Sequence, residues 1–108
     1  MTGKHNALIV FVTAPSQEVA RELAASVLNK RLAACVNIVN QVESHYHWEG
    51  KACCEQEFLL IIKTDESKYG ELEAQLIGLH PYSVPEVIAI PIVGGSKAYL
   101  DWINKSLS

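Results

Sequence analysis

Arg31 to Thr64 carries two long runs of β-type sequence that meet at Glu49-Gly50, and no other feature narrows the fold as much. The first run is rich in Val and Ile and ends in His45, Tyr46, His47 and Trp48. The second climbs from polar residues into Phe58-Leu59-Leu60-Ile61-Ile62. An Xaa-Gly pair between two such runs signals a β-hairpin. Each arm is roughly twice the ~5–6 residues of an ordinary strand. A chain of 108 residues, about half of them apolar, builds one modest core and one domain, residues 1–108. That core is too small to cover both faces and both edges of such a ribbon. The missing cover is therefore expected on other copies of the chain.

The flanking segments place the hairpin in a larger pattern. Ala7 to Thr13 is a continuous apolar run, as for a central strand buried on both faces. It is short, β-branched and followed at once by a helix start, so it reads as a strand rather than a leader. Ser16 is placed to cap a helix whose apolar side is Val19, Ala20, Leu23, Ala24, Val27 and Leu28. Thr64-Asp-Glu-Ser67 is a second cap region, followed by Tyr69, Leu72, Leu76 and Leu79 at helical spacing. His80-Pro81 ends that helix. Val87 to Val93 reads as a fourth strand, which Pro91 assigns to an edge or a bulge. Ser96 opens a last helix with Tyr99, Leu100, Trp102, Ile103 and Leu107 on one side. The order β-α-β-β-α-β-α predicts an α+β fold, a ferredoxin-like split β-α-β sandwich with a long β2-β3 hairpin.

Composition excludes several classes. Nine Lys and Arg stand against twelve Asp and Glu, with no basic stripe, so nucleic acid is not an expected partner. No apolar run approaches the ~20 residues of a membrane helix. Three cysteines, two of them adjacent, make no disulfide framework, and a cytoplasmic location is expected. No organic cofactor is expected.

Two constellations could carry chemistry. With Glu49-Gly50 as a two-residue turn, Trp48 faces Lys51, His47 faces Ala52, Tyr46 faces Cys53 and His45 faces Cys54. Side chains alternate faces along a strand, so His45, His47 and Cys54 share one face. Two imidazoles and a thiolate suit zinc or copper. The competing reading is a solvated ribbon end, and a bulge near the tip would separate Cys54 from the histidines. Cys35, in an apolar strand, reads as a buried small hydrophobe.

The second constellation is His80 to Glu86 with Lys63. His and Glu together can hold a divalent cation or move protons. A rigid connector, with His80 capping carbonyls, explains the same spacing and is the stronger reading on spacing alone. Tyr46, Trp48, Tyr82, Tyr99 and Trp102 read as core or interface material. No nucleophile with a base beside it is evident, so catalysis is not expected.

Val12-Thr-Ala-Pro15, Lys30-Arg-Leu-Ala-Ala-Cys-Val-Asn37, Tyr46-x-Trp-Glu-Gly-Lys51, Ile62-Lys-Thr64, His80-Pro-Tyr-x-x-Pro-Glu86 and Tyr99-Leu-x-Trp102 occur in this order at these separations. Over nearly its whole length the chain resembles the CutA family of divalent-cation tolerance proteins. The resemblance implies a homotrimer similar in architecture to the PII signalling proteins, with hairpin strands pairing between subunits. It implies binding of copper or another divalent cation and a response to metal ions. Cys35, Lys63, His80, Tyr82 and Glu86 fall on family motif positions, His80 and Glu86 being the metal-facing pair the resemblance implies first, with Cys35 a further candidate metal ligand. Lys63, Tyr82 and Trp48 are expected at the inter-subunit cleft. Some bacterial members carry Cys where this chain has Val12, a soft ligand missing here. His45, His47, Cys53 and Cys54 lie outside those motifs. A PII-like sensor or scaffold, binding a small anion or a protein at inter-subunit clefts, is the alternative.

Overall fold

The structure, a computed structural model, describes residues 5–108. Four strands and three helices follow in the expected order. They are β1 (Ala7–Ala14), α1 (Gln17–Asn29), β2 (Cys35–Trp48), β3 (Lys51–Asp65), α2 (Glu66–Leu79), β4 (Val87–Pro91) and α3 (Lys97–Ser106). The sheet runs β2-β3-β1-β4 with every neighbouring pair antiparallel. This is the split β-α-β arrangement.

Local chemistry sets the element ends. Ser16 Oγ accepts from the Val19 amide and Ser96 Oγ from the Tyr99 amide, each satisfying a free donor at a helix start. Within the second cap region Asp65 caps α2, accepting from the Ser67 and Lys68 amides. Helix α1 ends with Arg31 at φ 54. The Arg31 amide bonds Leu28 O and the Leu32 amide bonds Val27 O, the paired bonds of a left-handed helix stop. Leu32, buried at 3% exposure, anchors it. Strand β4 ends at Pro91, two residues short of the expected Val93, and lies on the sheet edge where a missing N–H is tolerated.

The turn at Glu49-Gly50 has φ 50 and φ 78, the two positive angles of a type I′ turn. It fixes the pairs Trp48–Lys51, His47–Ala52, Tyr46–Cys53 and His45–Cys54, the register expected from the sequence. Further down, Val39 pairs Leu59 but Val42 pairs Glu57. Asn40 and Gln41 therefore oppose Phe58 alone, a β-bulge with Gln41 at φ 60. The bulge lies outside the tip and leaves His45 and Cys54 on the same face.

One face of the sheet is closed and the other mostly open. Val10, Val12, Ala14, Leu60 and Ile62 pack under α1 and α2 against Ala20, Leu23, Val27, Leu72 and Leu76. Burying each large aliphatic there contributes roughly 1.5–3 kcal/mol. The second face carries Ile9, Phe11, Val39, Leu59, Ile61, Ile88 and Ile90. Helix α3 covers only its far end, where Ile103 and Leu107 pack with Ala7. Val39, Ile88 and Ile90 remain 41%, 53% and 44% exposed. Tyr46, Trp48, Tyr99 and Trp102 are exposed as well, so these aromatics are not core within one chain.

The ribbon projects past β1, whose last partner on β3 is Phe58. It stretches the molecule to 47 × 27 × 22 Å and its radius of gyration to 14.6 Å, above the ~13 Å of a compact chain this long.

Candidate functional site

The bulge exchanges the two faces of β2. Cys35, Asn37 and Val39 lie on the second face before it, and Val42, Ser44, Tyr46 and Trp48 lie there after it. Glu55 and Glu57 alternate onto the same face of β3. Opposite them, the segment from His80 to Glu86 returns from α2 toward β4. Between ribbon and segment lies a groove of about 670 Å³, bordered by Thr13, Tyr46, Trp48, Tyr82, Ser83 and Val84, and by Glu43, Glu55, Glu57 and Glu86. These are four carboxylates with no Lys or Arg among the lining residues.

His80 fixes the segment. Its Nδ1 accepts from the Tyr82 amide at 3.1 Å, which leaves Nε2 to donate to the Thr13 carbonyl at 2.7 Å. A neutral imidazole has one donor and one acceptor, and both are used. His80 is 8% exposed and its ring meets that of Tyr82 at 4.7 Å. With no free lone pair in this arrangement it acts as a clamp, which matches the connector reading and not a metal-facing one.

The clamp aims Tyr82 Oη at Glu57, where it donates at 2.7 Å. Glu57 is 6% exposed, a buried carboxylate held by that phenol. Tyr46 donates likewise to Glu55. The bond to Glu55 pushes the Tyr46 phenol up to about 12. Burial, then the bond to Glu57, raises that of Tyr82. Both phenols therefore stay protonated donors at neutral pH, and the carboxylates keep lone pairs for the groove.

Glu86 has its pKa raised, first by burial and then by the charge on Glu57. The fold therefore disfavours its ionised form. Stability contributed by the neutral acid is present at low pH and is lost as pH rises through the folded pKa. Glu86→Gln is expected to raise the melting temperature at neutral pH. The gain should vanish below the ordinary value of 4.5, where the carboxyl is protonated whether folded or not. Thermal melts of both proteins across that range check this, and a gain that persists at the acidic end would contradict it.

The tip donors belong to the other face of the ribbon, with Glu43 and His45 also reaching the rim of the groove. His45 Nε2 stands 3.6 Å from Cys54 Sγ and 2.5 Å from Glu43 Oε2. Glu43, His45 and Cys54 each bring one ligand atom within 4.8 Å of the others. His47 shares the face by alternation but is not one of this group; Glu43 takes the place expected for it.

Cys35 and Lys63 stand elsewhere. They pair across β2 and β3, with Lys63 Nζ 4.0 Å from Cys35 Sγ and also bonded to Asn37. Cys35 is half-buried on the second face, not a core hydrophobe. Val36, next to it, points under the helices, and alternation turns the thiol away from them. On β1, Lys63 pairs Ile9 while the groove begins at Thr13, roughly 13 Å along the strand. Lys63 therefore does not meet Glu86 within one chain. Tyr82, Trp48 and Glu86 do share the groove.

Comparison with known proteins bears on the family and the fold. The family model described as CutA1 divalent ion tolerance protein matches residues 8–106. A divalent-cation tolerance protein CutA of Thermus thermophilus is 45% identical, over 91% of this chain and 95% of its own length. A chloroplastic CutA protein of Arabidopsis thaliana is 50% identical over 92% of this chain, which spans 54% of that longer protein. The structure described as the periplasmic divalent cation tolerance protein CutA from Archaeoglobus fulgidus superposes with a TM-score of 0.91 at 40% identity, covering 94% of this chain and 99% of that one.

Proposed function

The chain belongs to the CutA1 family of divalent ion tolerance proteins, and on that footing we propose that it is a metal-responsive binding protein. Copies assemble as a homotrimer through the open second face. The acidic groove, closed off at the seams between copies, takes up copper or another divalent cation. It acts by binding rather than by catalysis. Three unpaired cysteines fit a reducing cytoplasm, and among the described residues no helix is long and apolar enough to cross a membrane.

The observation that carries this reading is the lining of the groove: four carboxylates, two of them held in place by phenols, and no Lys or Arg. Such a field favours a cation and repels a small anion, which weighs against a PII-like anion sensor. Carboxylate donors accept many divalent ions, and Cu²⁺ leads the divalent order at a given oxygen or nitrogen site.

Calorimetric titration with Cu²⁺ tests it. The parent should be the His45→Ala, Cys54→Ser double variant, so that the hairpin tip contributes nothing. That parent is expected to bind Cu²⁺, and adding Glu55→Gln and Glu57→Gln should weaken binding at least ~10–100-fold, the range that even an indirect partner of a metal site commands. An isotherm unchanged by the two Gln substitutions would remove the groove as the site.

A further inference from the structure

We propose that the hairpin tip is a second, separate metal site: Glu43, His45 and Cys54 bind a zinc-class divalent ion through one oxygen, one imidazole nitrogen and one thiolate. Glu43 and His45 also border the groove, so the two sites adjoin; Cys54, which lies outside the groove's lining, is the donor that tells them apart.

The geometry is already close to that of an occupied site. Zinc holds thiolate sulfur at ~2.3 Å and imidazole nitrogen at ~2.0–2.1 Å, so two such ligands at a tetrahedral angle stand ~3.6 Å apart. Cys54 Sγ and His45 Nε2 are 3.6 Å apart. Glu43 Oε2 touches the same nitrogen at 2.5 Å and has only to retreat by under about 1 Å to share an ion with it. A water molecule can complete the four-coordinate shell.

The backbone holds the donors in register. The type I′ turn fixes His45 opposite Cys54. In a hairpin closed by a two-residue turn the pair types alternate outward from the turn, which makes this a non-hydrogen-bonded pair with its side chains drawn close. Glu43 follows two residues along the same strand on the same face. The bulge falls beyond all three, and strand alternation sets this face opposite that of Tyr46 and Trp48. Glu43 and His45 are each 67% exposed in their side chains, so an ion has direct access.

Proton balance makes the site pH-dependent. The Cys54 thiol gives its proton to solvent as the metal–sulfur bond forms. The proton that His45 Nε2 shares with Glu43 moves to Nδ1 or to solvent, freeing the lone pair. At least one proton is released per ion bound, and affinity rises with pH.

Titration of the full chain with Co²⁺, the spectroscopic substitute for zinc, tests this. A thiolate-to-cobalt charge-transfer band should grow, saturate at one ion per chain and be displaced by Zn²⁺. Cys54→Ser should abolish the band, and His45→Ala should weaken binding at least ~10–100-fold. Cys53→Ser, on the opposite face, should leave it intact, as should Glu55→Gln with Glu57→Gln, so failure here and failure of the groove are told apart. All of these positions lie on the projecting ribbon outside the helix-covered core, Glu57 alone among them being buried, and circular dichroism confirms that each variant is folded. No thiolate band in the wild type, or a band that survives Cys54→Ser, would overturn the proposal.

Discussion

Ile61→Asp is expected to reduce the assembly to single folded chains. Ile61 pairs Phe11 on one side and Asn37 on the other, on the face opposite Leu60 and Ile62. Those two neighbours are fully buried under the helices, so the core of the single chain does not feel the change. The face that Ile61 occupies is apolar, and among the described residues α3 and the segments beside it shield just its far end. In an assembly sealed on that face, each chain would bury an unpaired carboxylate, which costs several kcal/mol. At ~1.4 kcal/mol per tenfold, association should weaken by more than two orders of magnitude. Size-exclusion chromatography with light scattering reads the mass, and circular dichroism reads the fold. The variant running at wild-type mass with an intact fold would show that this face is not the seam.

His80→Ala is expected to give the second large effect, a loss of roughly 2–4 kcal/mol in stability. The substitution strands the Thr13 carbonyl and the Tyr82 amide, each losing its partner, and an unsatisfied buried polar group costs ~1–3 kcal/mol. It also removes the ring packing against Tyr82. For a domain of this size each kcal/mol lowers the melting temperature by roughly 4–8 °C. The metal-free protein should show the full loss, because the clamp consists of bonds within the chain. A variant that melts like the wild type without metal, and differs only when metal is added, would instead make His80 a ligand.

The sequence disclosed most of this where its signals were local. Glu49-Gly50 between two β-branched runs defined the turn, and period-two counting from it placed His45 opposite Cys54. The bulge also leaves a trace in the sequence. Val39 and Val42 both face the open side, and their three-residue spacing breaks the strand period. The same alternation would have placed Cys35 outward, since Val36 and Ile38 pack under the helices.

Glu57 was harder to see. It stands where a polar stretch becomes apolar, and what makes it part of a site is a phenol 25 residues away. Glu43 stands two residues before His45 in the sequence, and so on its face of the strand, but an exposed glutamate on a polar stretch carries no mark of a ligand. His80 was visible as a residue at a proline-ended helix. Only the fold, by bringing the Thr13 carbonyl to its ring across 67 residues, showed that its nitrogens are already taken.

The mass of the wild-type protein in dilute solution is the most direct test of assembly through the open sheet face. Multi-angle light scattering at micromolar concentration should give three times the mass of one chain, the open sheet faces being turned toward one another. A mass of one chain, with the circular dichroism of the folded protein, would contradict it.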